Sequence, residues 1–115
     1  MIEKIVFDFL TERLGVPVFM EEPKDPPTAM VVIEKTGGTL KNHICSSTFA
    51  VQSYGASLFE AIELNNLVKE TLLNGVEGII TLDEVIGVEL NSDYNFTDTT
   101  SKRYRYQAVI VINHY

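Results

Sequence analysis

His43 and Cys45 stand two residues apart in "HICSSTF", and on a strand that spacing puts both side chains on one face. A thiol beside an imidazole can lose its proton and attack as a thiolate. Such a nucleophile also needs an orienting third group and an oxyanion hole, and no local signature supplies either, so Cys45 is read as a structural residue on a sheet face. His114 is far along the chain, and two distant histidines with one cysteine give no metal-ligand spacing. "TGGT" lacks the Lys-Ser/Thr ending and the strand-to-helix context of a phosphate loop. "DYNFTDTT" is rich in Asp and Thr but lacks the spacing of a calcium loop. The expectation is a protein with no catalytic set, no cofactor and no metal.

A second constellation concerns binding. Lys102, Arg103 and Arg105 crowd together with Tyr94, Tyr104 and Tyr106 in "SDYNFTDTTSKRYRYQAVIVINHY". Basic and aromatic side chains on strands can stack single-stranded nucleic acid. They can equally form a hairpin ladder of cross-strand pairs, or a protein interface, where Tyr and Arg are enriched. The chain carries a formal net charge of −7, which repels a phosphate backbone and weighs against the nucleic-acid reading.

The elements that would position these residues follow from periodicity. Ile2, Ile5, Val6, Phe9, Leu10 and Leu14 recur at helical spacing, with Gly15 expected as a left-handed stop and Pro17 barring continuation. "VPVFM" reads as a short strand and "EEPKDPP" as a loop, since proline removes ladder donors. "TAMVVIEKT" and "HICSSTFAVQSY" read as antiparallel strands joined through "GGTLKN". Ser57 and Glu60 form a capping box at the head of a second helix, which Asn74-Gly75 ends. "GVEGIITLDE" is either an irregular crossing or a brief strand. "VIGVELNSDYNF" and "RYRYQAVIVINHY" are the last two strands. In the final strand Ala108, Ile110 and Ile112 share one face while Val109 and Val111 take the other. It should therefore be central, or meet another subunit on its second face.

The order α-β-β-β-α-β-β predicts a single α+β domain spanning residues 1–115. Its antiparallel or mixed sheet has about four to five strands, both helices on one face, and a long C-terminal β-hairpin. At 115 residues and 45% hydrophobic, such a domain can bury a core without a metal or disulfide staple. The lone cysteine fits a reducing compartment. The charged N-terminal "MIEKIVFDFL" does not resemble a signal peptide, and no apolar run is long enough to span a membrane.

Four segments carry a family resemblance: "IEKIVFDFLTERLGVPVFMEEP", "VVIEKTGG", "AVQSYGASLFEAIELNNLVKETL" and "DYNFTDTTSKRYRYQAVIVINHY". In that order, and over nearly the whole chain, the protein resembles the small tail-terminator proteins of long-tailed bacteriophages and prophages, also called tail-completion or head-to-tail joining proteins. The resemblance implies an α+β subunit that assembles with copies of itself into a ring, usually a hexamer, at the head-proximal end of the tail tube. Such a ring ends tube polymerisation and presents a surface to the head–tail connector. DNA passes through the lumen only as cargo, and an acidic lumen would let it slide. No active site and no membrane partner are implied. The place of work would be the bacterial host cytoplasm during assembly, then the tail or neck of the virion. The expected interface is the C-terminal arm, through Tyr94, Asn95, Phe96, Thr97, Asp98, Lys102, Arg103, Tyr104, Arg105 and Tyr106. The proline-rich loop, with Pro23, Pro26 and Pro27, is a second contact. An arm of this kind can stay loose until its partner arrives. The alternative is a small soluble binding module that uses the same hairpin to hold a protein or single-stranded nucleic acid.

Overall fold

Hydrophobic residues at helical spacing give the first helix one buried side. α1 (Ile2–Arg13) hides Ile2, Val6, Phe9 and Leu10 and exposes its charged side. Its end differs from expectation. No described glycine takes a positive φ; instead Leu14 leaves the helix in an extended conformation. Leu14 is buried, so sinking that side chain into the core turns the backbone, and Gly15 is not needed for it.

The structure, a computed structural model, describes residues 1–101 and 103–115. After α1 come β1 (Val18–Phe19), β2 (Met30–Lys41), β3 (Ile44–Gly55), α2 (Leu58–Leu73), a 3-10 turn (Ile79–Thr81), β4 (Val85–Asn95) and β5 (Tyr104–His114). This is the expected α+β order. The ambiguous segment after α2 is the irregular crossing, pinned by fully buried Ile79. The sheet runs β1-β2-β3-β5-β4. β1 pairs parallel with β2 and the other pairings are antiparallel, so the sheet is mixed.

Both helices cover one face. Val31, Ile33, Phe49, Val51, Ala108, Ile110 and Ile112 alternate along three strands and pack with α1 and α2 into one core cluster. α2 starts on Ser57, whose Oγ accepts from the Glu60 amide at 3.2 Å. Glu60 reaches one residue further back than a standard capping box, accepting from Ala56 N–H at 3.0 Å. This first turn lies so close to the sheet that a Cβ on Gly55 would meet Ala61 N at 2.7 Å. The close approach therefore requires glycine there. Further along, Lys69 Nζ and Asn65 Nδ2 both donate to Asp93 Oδ2, at 2.6 and 3.1 Å, tying α2 to β4.

The opposite face carries Val32, Ala50, Gln52, Tyr54, Gln107, Val109 and Val111, by the strand register, and no helix covers it. β5 is central, as its pattern predicts, yet Val109 and Val111 are only half-buried on this open face.

One turn falls elsewhere than expected. The glycines Gly37 and Gly38 lie within β2, which continues to Lys41 past a bulge at Thr36. The reversal is the two-residue Asn42-His43, both at positive φ (53° and 64°), the geometry of a type I′ hairpin. The result is a 12-residue strand paired with another of 12, and β2 from Glu34 to Lys41 is exposed throughout. Among the described residues no helix is long and apolar enough to cross a membrane.

Candidate functional site

The described residues of the polar stretch before the last strand form a hydrogen-bonded hairpin end. The ladder continues past β4 through Phe96 N–H to Arg105 O (3.0 Å) and Asp98 N–H to Arg103 O (3.2 Å). Asn95 Oδ1 accepts from the amide and hydroxyl of Thr97 at 3.0 and 2.6 Å. Asp98 Oδ1 accepts from the amides of Thr100 and Ser101 at 2.9 and 3.4 Å. Short polar side chains at such positions close turns on their own backbone. Bonding from the Ser101 side chain and then from the Thr100 and Ser101 amides holds the Asp98 carboxyl below its ordinary range.

Arg105 locks this arm onto the sheet. Its Nε donates to Phe96 O at 2.6 Å and its guanidinium lies 4.2 Å from the Phe96 ring centre. A second nitrogen donates to Tyr54 Oη at 3.2 Å. From there a directional chain crosses the open face. Tyr54 Oη donates to Gln52 Oε1 (3.2 Å), Gln52 Nε2 to Gln107 Oε1 (3.1 Å), and Gln107 Nε2 to Tyr94 Oη (2.6 Å). Tyr54, Gln52 and Gln107 each both give and receive, an arrangement that polarises and strengthens its members. Tyr94 ends the chain as an acceptor among the described residues, and its ring meets Phe96 edge-on at 5.9 Å.

The proline-rich loop joins the same surface. Arg103 pairs with Glu22 and lies 4.8 Å from the Tyr54 ring centre. Pro26, Pro27, Tyr54, Arg103 and Tyr104 line a cavity of about 350 Å³. Pro23 is half-buried in the same loop but does not line that cavity.

The expected residues thus separate by face. Tyr94, Phe96, Arg103 and Arg105 lie on the open face; Tyr104 and Tyr106 alternate to the other. Asn95, Thr97 and Asp98 build the turn, and Lys102 lies outside the described residues. Sequence reasoning passed over Tyr54, Gln52 and Gln107. Their signal is a polar residue every second position on two strands, which becomes visible only once the register sets Gln52 opposite Gln107 and Tyr54 opposite Arg105.

The nucleophile constellation rearranges as well. His43 sits in the turn and not on a strand, so the shared face with Cys45 does not exist. The imidazole in register with Cys45 is that of His114. Its Nδ1 lies 3.1 Å from Tyr115 O, an acceptor only, which makes Nδ1 the donor and leaves Nε2 to accept from Ser47 Oγ at 2.8 Å. Ser47 is 1% exposed and His114 8%, so a substrate has no approach to the hydroxyl and the bond works as a core tie. Among the described residues no His, Cys, Asp or Glu group is arranged to hold a metal.

No protein-family model matches the chain, and no curated protein does either.

Proposed function

We propose that this chain is a structural assembly protein of a phage or prophage tail. Copies form a ring at the head-proximal end of the tail tube, end tube growth and join tail to head. The observation that carries this reading is the interlocked surface on the open sheet face. Two segments distant in sequence, the proline-rich loop and the C-terminal arm, meet there through Arg103 and Glu22 and are braced by the chain from Arg105 to Tyr94. Tyr and Arg held rigid at a surface lose little entropy when a partner covers them, which suits a contact patch. A ring needs heterologous contacts that close by rotation, and an uncovered sheet face offers such a contact.

The alternative binder of single-stranded nucleic acid loses support from the same geometry. Arg103 pairs with Glu22 and Arg105 bonds Phe96 and Tyr54, so a phosphate would compete with partners already in place. Deleting Phe96–Ser101 tests the proposal. Ring formation and tail joining should both fail while circular dichroism stays native; unchanged assembly and joining would sink it. Tyr94→Ala, which leaves the turn intact, provides the same readout should the deletion unfold the domain.

A further inference from the structure

We infer that the tip of the β2–β3 hairpin seats in the groove along α2 of a second copy of this chain. The inference rests on the self-assembly proposed above and assigns it a contact. The outer hairpin, residues 35–46, contains Lys35 and Lys41 and no acid, in a chain of net charge −7. Its apolar residues point into solvent: Leu40 is 71% exposed and Ile44 39%. Nothing lies within 4 Å of where a Gly37 Cβ would stand, and the Lys35 side chain lies against Gly38.

The groove is complementary in both respects. It encloses about 660 Å³ between α2 and the chain on either side of β1. Val16, Leu64 and Leu67 give it an apolar lining, and Glu60, Glu63 and Glu70 supply its charge, with no basic residue among those that line it. Leu67 remains 44% exposed at its edge, and Phe59 in the first turn of α2 is 69% exposed.

Tip and groove cannot meet within one molecule. β3 begins at the tip with Ile44 and reaches the groove at Tyr54 and Gly55. Its 12 residues at about 3.3 Å each account for most of the molecule's 44 Å length. A lysine-flanked apolar tip at one end and a glutamate-flanked apolar groove at the other make a contact between different surfaces, the kind that closes rings. Opposite charges across it also fix the register and raise the association rate.

Charge exchange tests this. Lys35→Glu with Lys41→Glu, or Glu63→Lys with Glu70→Lys, should each weaken self-association about a hundredfold or more in sedimentation experiments, since like charges then face each other. Glu60 is left alone because it caps α2. The chain carrying all four changes should recover association, as should a mixture of the two double variants, and thermal melting confirms that each is folded. Double variants that assemble like the unaltered chain, or folded four-change chains and mixtures that do not recover, overturn the inference and leave the ring proposal standing. An unaltered chain that stays monomeric at millimolar concentration and also leaves tube ends uncapped overturns both.

Discussion

Tyr54 is the residue on which the open face turns. It is 3% exposed, yet its hydroxyl accepts from Arg105 and donates to Gln52. Tyr54→Phe keeps the ring under Arg103 but strands a guanidinium nitrogen and an amide oxygen. The expected loss is about 1–2 kcal/mol, read as a lower urea midpoint at unchanged slope. Asp98 gives the hairpin end a pH dependence. Its carboxyl titrates below the ordinary 3.8 in the folded arm, so it stabilises the turn fully above that ordinary value. The contribution falls away as pH drops from there through the folded value. Amide exchange at Thr100 and Ser101 should quicken in that acid window, and Asp98→Asn should remove the pH dependence. Sequence inspection finds Asp98, Arg105 and Tyr94 because they cluster. It passes over Tyr54 because a tyrosine on an alternating strand looks like any other until its cross-strand neighbour is known.

At the scale of elements, local rules succeed where the chain decides alone and fail where packing decides. The cap of α2 is legible from Ser57 and Glu60, and Ser57→Ala should cost about 1 kcal/mol. The end of α1 is not, because the burial of Leu14 and not the freedom of Gly15 stops it. The β2–β3 turn misleads for a related reason: Gly37-Gly38 is the stronger turn signal, but pairing in register carries both strands on to Asn42-His43. Asn tolerates the left-handed region, which makes that turn possible. The contact of α2 with the sheet is equally invisible in the sequence, since Gly55 follows a strand without a turn of its own. Gly55→Ala drives a methyl to 2.7 Å from the Ala61 nitrogen and should cost about 1–3 kcal/mol as α2 shifts outward, measurable by thermal melting. Asp93→Ala leaves Lys69 and Asn65 Nδ2 without their acceptor and should cost about 2 kcal/mol.

For the whole molecule, element order and α+β class follow from periodicity, and the centrality of β5 follows from its two apolar faces. The strand order β1-β2-β3-β5-β4 does not, because it depends on which edges remain free after the helices bury their sides. That order places both helices on one face, leaves the other open, and sends the β2–β3 hairpin and the C-terminal arm beyond the core. A domain so arranged has the Ser47–His114 pair inside and Tyr94, Arg103 and the hairpin tip at its surface. The proposed function requires that copies of this chain close into rings at tube ends. The direct measurement is light scattering of the purified chain together with electron microscopy of tail tubes grown with and without it. Rings of a single subunit number and tubes capped at one end, which stop lengthening, are the expected result. A chain that remains monomeric in solution and leaves tube growth and tube ends unchanged would contradict it.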